Sequence, residues 1–513
     1  MATQDTDDST LRLFRGASVV FIGLVLELGL AFFVKLLLAR FFGQTGYGAI
    51  SIGMTVMATI STISLLGLHT GIGRYLPRYE DPTHRRGVLV SAFSMVLPVS
   101  AIAGALCYLF ADRIAAQVFT DASLTPIIEA FALIIPVNAM IIMTVGVMQG
   151  QEQSAPKVYI QNLGLPLSKF TVVGLGLAVG AATVSISWGY LAAYGVVSLL
   201  CLYYLYRQTP LFADTPVTPM YGELTAFSLP LLVSATMGLV LNSLDVFILG
   251  YVGTTGDVGV YKVVYPLAKL LTVSLGAFGF ILLPILSDFH SNGSLEKMGS
   301  IYRLASKWIL ILTLPIFFAY LFVPQEIIII SFSAEYLEGW RALSVLGAGF
   351  LCHAIAGPNI DTLISLGKTR LVMADNIVTA IINIGLNLLL IPQYNILGAA
   401  VATTISFVFL NIISTAQLYR AVGVQPISKA TLRLAVIGGV LAFSSVEVVS
   451  LLVTRPWFVV LGFGLLFGPL YLLSIVVTGG VSENELLLVD RLEDSVGVDL
   501  KRLKAAIRWA EKI

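Results

Sequence analysis

The feature that most constrains this chain is a series of about fourteen apolar blocks, each of roughly the length a helix needs to cross a bilayer. They run approximately over 17–39, 47–68, 87–110, 124–148, 157–178, 185–206, 224–250, 259–286, 303–323, 340–365, 371–391, 396–418, 432–453 and 457–477. About 20 apolar residues span the hydrocarbon core. In lipid every backbone polar group must be satisfied internally, which leaves helices or closed barrels. The blocks are too long and too continuous for barrel strands, which alternate over about ten residues. Composition agrees: 12% of the residues are charged, about half the roughly 25% of a soluble domain. The expected class is an all-α polytopic membrane protein.

Charge sets the expected orientation. Cytoplasmic loops carry the excess of Lys and Arg. With the N-terminus inside, about 22 of the 30 Lys and Arg fall on the cytoplasmic side, 5 on the outer side and 3 within spans. Both termini are therefore expected in the cytoplasm, with an even number of spans, in a cell membrane. The first residues, MATQDTDDSTLRLFRG, are polar and acidic; they lack the basic stretch and cleavage site of a signal peptide. Net charge is +1, so nothing points to nucleic acid. Cys107, Cys201 and Cys352 stand singly in apolar blocks, with neither metal-ligand nor disulfide spacing.

The chain also repeats itself. RFFGQTGYGAISIG at 40–53 and GYVGTTGDVGVY at 250–261 each place Gly-x-x-Gly after an apolar run, so that Gly43 and Gly46 correspond to Gly253 and Gly256. VSISWGYLAAYGVVS from Val184 and YNILGAAVATTISFV from Tyr394 echo each other at the same separation, about 210 residues. Two echoes at one offset favour an internal duplication over chance recurrence of glycine turns. Duplicated bundles are how many transporters form a substrate site between halves. The Pro- and Thr-rich stretch 207–222 is the natural linker. The expected organisation is a first lobe at 1–206, the linker 207–222, a second lobe at 223–420 and two further spans at 421–480. The polar tail 481–513 follows, read either as an amphipathic helix on the inner leaflet or as a solvated cytoplasmic helix.

No nucleophile elbow, phosphate loop or His/Cys metal cluster is present in the sequence. GLGLAVG at 174–180 imitates a dinucleotide motif but lies in an apolar span, where small residues serve helix packing. His69 and His353 are isolated near the ends of spans and read as packed or interfacial rather than catalytic. The chain is not expected to be an enzyme. Its informative residues are ionisable groups inside spans, each costing roughly 2.5–3.5 kcal/mol at a helix centre. These are Glu27 and Lys35 in the first span, Lys169 in the fifth, Asp245 in the seventh and Lys269 in the eighth. Three lysines against two carboxylates describe a mainly cationic cavity suited to a phosphate, although Lys35 could equally snorkel outward. A second group, Asp245 with Asn383, Asn387 and Thr403, offers only oxygen ligands, the kind hard cations take. Interhelical hydrogen bonding explains the amides and the hydroxyl as well.

At these residues the chain resembles polysaccharide or O-antigen flippases of the Wzx type, within the superfamily that includes MATE drug exporters and the lipid II flippase. The resemblance covers roughly 10–480 and rests on LLLARFFGQTGYGAISIG, LLGLHTGIGRYLPRYED, ILGYVGTTGDVGVYKVVYPLAKLL and NLLLIPQYNILGAAVATTISF. It implies a MATE-like fold, with two pseudo-symmetric six-helix lobes plus two extra C-terminal helices, alternating between inward- and outward-open states. It also implies movement of a polyprenyl- or dolichyl-linked oligosaccharide, on a phosphate or pyrophosphate, to the outer face. By that resemblance Lys35 and Lys269 would be cavity cations of helices 1 and 8. The lipid II flippase's cation in helix 2 has no mid-helix counterpart here, Arg74 standing near the cytoplasmic end. Read with Lys169, these would hold the phosphate-sugar head, and Glu27 would pair with a lysine in one state and release it in the other. Asp245, Asn383, Asn387 and Thr403 would match a sodium site, with Asn387 where an acid is expected. The coupling ion would be Na+ or H+, with no cofactor. Partners would be membrane lipids, and glycosyltransferases or a glycan polymerase or ligase, around a monomer. The rivals are a cation-coupled drug exporter of the same fold, which would favour acids and aromatics in its cavity, and a non-transporting scaffold, which has no use for buried charge.

Overall fold

A computed structural model describes residues 2–426 and 429–478. The expected tail at 481–513 lies outside the described residues. Every regular element among the described residues is helical. The chain divides into two compact units at Lys262/Val263.

In the first unit, α1 spans Ala2–Ser64. At about 1.5 Å per residue, 63 helical residues would reach roughly 95 Å, three times the bilayer core. The chain resolves this at Gly43 (φ 65°, ψ −178°), a conformation that essentially only glycine adopts. Thus α1 contains two of the expected blocks joined at the first glycine loop. It ends before Leu66 and Gly67, both at positive φ, and α2 (Leu68–Tyr75) continues at a bend of 49°. α3 (Pro82–Leu109) starts with Asp81 as cap and Pro82 in its first turn. α4 (Thr125–Gly150) is buried over most of its length. A π-helical segment, Val158–Gly164, leads into α5 (Leu165–Ala178), and α6 is Thr183–Gln208.

The linker then packs back on α3. The Arg86 guanidinium donates to the Thr215 carbonyl, and the Met220 amide donates to Ser91 Oγ at 2.9 Å. α7 (Tyr221–Val252) ends at the second glycine loop, and α8 (Thr255–Lys269) begins there. The two repeated loops meet. A Cβ at Gly48 would strike the Thr255 carbonyl, and one at Gly259 would strike the Gln44 carbonyl. The duplicated glycine motif is therefore also a backbone-on-backbone crossing.

In the second unit a 3-10 turn, Leu270–Thr272, separates α8 from α9 (Val273–Ser291). α10 (Leu295–Phe322), α11 (Pro324–Ser331), α12 (Trp340–Ala356) and α13 (Asn359–Ser365) follow. α14 (Thr369–Val422) is interrupted at Asn395 (φ 50°, ψ −125°), so it too contains two expected blocks. The break coincides with the second sequence echo. α15 (Lys429–Leu452) and α16 (Pro456–Val477) dock on α10 through aromatic rings. Phe318 meets Phe467 edge-on at 5.9 Å, and Tyr471 Oη donates to the Ile311 carbonyl at 2.9 Å. Ten described helices are long and apolar enough to cross a membrane, eleven counting the bent α1–α2 pair. The sequence blocks number fourteen because α1 and α14 run through two blocks each and the block at 157–178 is divided between the π segment and the shorter α5.

Candidate functional site

Inside the first unit, α1, α4, α5 and α6 enclose a cavity of about 310 Å³. Its wall is mostly aliphatic. Six polar side chains interrupt it: Glu27 and Lys35 from α1, Asn138 from α4, Gln161 from the π segment, Lys169 from α5 and Tyr190 from α6. Three of the residues singled out from sequence, Glu27, Lys35 and Lys169, thus line one cavity, with two lysines against one carboxylate.

Each is placed by its helix. Glu27 and Lys35 lie eight positions apart on α1, close to two full turns and hence on one face. Lys169 lies one turn inside α5, its ammonium 4.7 Å from the centre of the Tyr194 ring and 5.8 Å from that of Tyr190. A cation over an aromatic face gains about 0.5–2 kcal/mol, more as it is desolvated. That offsets only part of the roughly 2.5–3.5 kcal/mol that a lysine costs at mid-membrane. Glu27, on which both Lys169 and Lys157 act electrostatically, adds a charge of opposite sign. Gln161 reaches the cavity because the π segment widens the helix just ahead of α5. Its buried Oε1 accepts no hydrogen bond. The cavity therefore offers two ammonium groups, a carboxylate and an amide oxygen with spare bonding capacity. Its volume sits at the lower end of the range for small-molecule sites, about 300–1,000 Å³. It suits one charged head group rather than a whole oligosaccharide.

The other singled-out residues lie elsewhere. Arg74 ends α2 with its guanidinium 4.2 Å above the Phe227 ring. Lys269 ends α8, in the second unit, and is exposed. Asp245 is buried in α7, accepts from the Val246 amide at 2.8 Å and has Lys262 of α8 as its charged neighbour. Asn383, Asn387 and Thr403 belong to the second unit and are all buried. Asn387 Nδ2 donates to Asn383 Oδ1 at 2.9 Å, and Asn383 Nδ2 donates to Ser406 Oγ at 3.2 Å. Asn387 Oδ1 is buried with no partner, an amide oxygen with spare bonding capacity.

Sequence reasoning missed Asn138, Gln161, Tyr190, Tyr194, Lys157 and Lys262. Polar residues inside apolar blocks were a visible signal for Asn138 and Gln161. Lys157 and Lys262 stand near the starts of apolar blocks, and only packing shows which acids they approach.

A family model described as polysaccharide biosynthesis protein matches residues 37–340, more than half of the chain. The chain belongs to this polysaccharide biosynthesis family. Over 178 residues it is 26% identical to a Haloferax volcanii protein named as a low-salt glycan biosynthesis flippase, covering 34% of this chain and 37% of that relative. The matched stretch thus spans little more than a third of that relative's length. A Shigella flexneri protein named as an O-antigen transporter is 22% identical over 382 residues, 72% of this chain and 88% of its own. Among solved structures, the lipid II flippase MurJ in an inward closed conformation superposes with a TM-score of 0.68. That match has 14% identity and covers 93% of this chain and all of the other. Family members with these names are transporters rather than enzymes, and the fold is that of the lipid II flippase.

Proposed function

We propose that this protein is a flippase that carries a lipid-linked oligosaccharide from the cytoplasmic to the outer face of the cell membrane by alternating access. The observation that carries the reading is the cavity in the first unit. It groups Lys35 and Lys169 with Glu27 at membrane depth, where a charge without a function is a pure cost. A lipid phosphate is a compact anion, which lysine binds as a point charge, and the polyprenyl or dolichyl chain would stay in the bilayer. Glu27 would hold the lysines when the head group is absent and release them when it arrives. The family match and the flippase and transporter names of relatives support the same reading.

The proposal extends to coupling and surroundings. Na+ or H+ would drive the cycle. A sodium ion would be held in the second unit by the oxygens of Asn383, Asn387 and Thr403. Both termini would be cytoplasmic. The transporter would act as a monomer, receiving substrate from glycosyltransferases and delivering it to a polymerase or ligase.

The test is made in cells lacking the protein, by extracting lipid-linked sugars and determining which leaflet holds them. A completed lipid-linked glycan accumulating on the cytoplasmic face, with surface glycan lost, is the expected outcome. An unchanged pool with normal surface glycan, in cells with no substituting flippase, refutes the reading.

A further inference from the structure

The two halves of α14 lie side by side as an antiparallel pair, and two side-chain contacts fix their register. Ser414 Oγ donates to Asp375 Oδ2 at 3.2 Å, and Asn383 Nδ2 donates to Ser406 Oγ at 3.2 Å. Eight positions forward on the first half thus match eight positions back on the second. Every fourth residue of the first half from Asp375 to Asn387 is polar and buried: Asp375, Thr379, Asn383 and Asn387. Residues four apart share a helix face, so this stripe runs along the second half for about 18 Å of axis. The amides occupy the end nearer the Asn395 break. The carboxylate stands at the other end, near the start of α14 at Thr369.

Asp375 is only 6% exposed. Its carboxylate is met by two neutral donors, Ser414 Oγ on one oxygen and Gln417 Nε2, at 2.8 Å, on the other. Among the described residues no lysine, arginine or histidine forms an ion pair with it. A buried carboxylate without a counter-charge is costly. Two oxygens beside it have unused bonding capacity. Gln417 donates through Nε2, while its buried Oε1 has no partner. Thr379 is 2% exposed, and its Oγ1 has no partner either. Other hydroxyls in the helices of the second unit, those of Ser306, Thr313 and Ser406, donate to the carbonyl four residues back. Thr379 does not. By the register of the pair, position 410 faces Thr379, and the buried Leu410 there offers it no bond. Buried polar atoms left unbonded in this way are exceptions that call for a physical reason. Nearby Val372 and Leu418 pack into an apolar cluster with Leu363 and Val424, which keeps the surroundings low in dielectric.

We propose that Asp375, Thr379, Ser414 and Gln417 form a binding site for a small monovalent cation, Na+. All four offer oxygen, the ligand that hard cations take. One carboxylate among neutral oxygens balances one positive charge, and would leave a divalent ion undercompensated in an apolar setting. The close pairing of the two halves leaves room for a small ion. On binding, the ion replaces the two hydrogens that now meet the carboxylate. The Ser414 hydroxyl turns its hydrogen to the carbonyl of Leu410, four residues back, and keeps its lone pairs for the ion. A half-turn of the Gln417 amide presents Oε1 in place of Nε2. Thr379 Oγ1 is already free of other bonds. This site is distinct from the group of Asn383, Asn387 and Thr403, which contains no carboxylate and lies at the other end of the stripe. Its use in driving transport rests on the flippase reading, but the binding itself does not.

The test uses the full chain, purified and reconstituted in lipid nanodiscs, with Na+ as the probe and choline replacing it at constant ionic strength. Binding of radioactive sodium and the thermal midpoint are read together. The unmodified protein should bind sodium saturably, and its midpoint should rise with sodium. Asp375→Asn removes the charge and keeps the shape. It should bind sodium about tenfold or more weakly and lose the sodium-dependent rise. In choline it should be as stable as the unmodified protein, or more so, because a buried charge has gone. A purely structural carboxylate predicts a lower midpoint in both media, with sodium binding intact. Thr379→Val deletes an oxygen that makes no hydrogen bond, so it should weaken sodium binding several-fold and leave the midpoint in choline unchanged. It carries the test if Asp375→Asn does not fold. Asn387→Ala, at the far end of the stripe, should keep the sodium that Asp375→Asn loses. Sodium binding intact in both Asp375→Asn and Thr379→Val overturns the proposal, as does an unmodified protein that binds no sodium. Flipping of lipid-linked sugar in proteoliposomes separates the two readings. Sodium bound through Asp375 without any flipping removes the flippase and keeps the site; flipping with no sodium bound does the reverse.

Discussion

At the scale of single residues, the charge of Lys169 can be tested apart from the fold. Its ammonium is held over Tyr194 and Tyr190 and faces Glu27 across a small cavity. Those contacts offset its burial only in part, so removing the charge should not harm the fold. In Lys169→Met the thermal midpoint is expected to stay level or rise, while flipping in proteoliposomes falls at least tenfold. Lys169→Arg, which keeps a cation over the rings, should retain more activity than Met. A Met variant with normal flipping would remove Lys169 from the site; a Met variant that fails to fold would make the residue structural. Lys169, Lys35 and Glu27 were legible from sequence because charge inside an apolar block has few explanations. The partners were not legible, since nothing in the spacing of Lys262 predicts its approach to Asp245 or that of Lys157 to Glu27.

At the scale of elements, the breaks matter more than the helices. The Gly43 break, the crossing of Gly48 with Gly259 and the Asn395 break all fall on stretches that the internal repeat had marked. That part of the fold was readable because only certain residues tolerate such backbones. The π segment that aims Gln161 was not readable, because no residue type specifies it. The glycines make a graded series. Gly48→Ala or Gly259→Ala places a methyl against backbone carbonyls that cannot rotate away, which should cost about 1–3 kcal/mol. Gly174→Ala meets nothing within 4 Å and should be neutral or stabilising by up to about 1 kcal/mol through helix propensity. Thermal midpoints of the three variants check the order. GLGLAVG divides accordingly: Gly176 packs against Ile186 whereas Gly174 faces open space. The cap of α3 adds a pH dependence. Hydrogen bonds from Thr83 and His84 hold the Asp81 carboxyl down at about 2. A carboxyl lowered in the folded state stabilises fully above its unfolded value near 3.9 and loses that contribution as pH falls toward 2. Protection of the first turn of α3, with exchange corrected for intrinsic rates, should therefore fall between about pH 4 and 2, and Asp81→Ala should show the low protection at neutral pH as well.

At the scale of the whole molecule, packing between loops constrains which of them share a face of the membrane. The first glycine loop and the second pack against each other, so both must lie on one side of the bilayer. The linker packs on the start of α3, beside Arg85 and Arg86. An apolar span separates the Gly43 loop from α2, and the distribution of Lys and Arg assigns the α2–α3 junction to the cytoplasm. With the proposed cytoplasmic termini, the glycine loops would be external and the linker internal. Thr45 and Asp214 are both exposed, so each can report its side as a cysteine. The native thiols give little background: Cys107 and Cys201 are buried and Cys352 is partly so. Thr45→Cys should react with a membrane-impermeant maleimide in intact cells, and Asp214→Cys only after permeabilisation. The reverse pattern would invert the expected placement of every loop. Labelling of both in intact cells would break the rule that places Lys and Arg inside, and would require an odd number of crossings between residues 45 and 214 to be replaced by an even one.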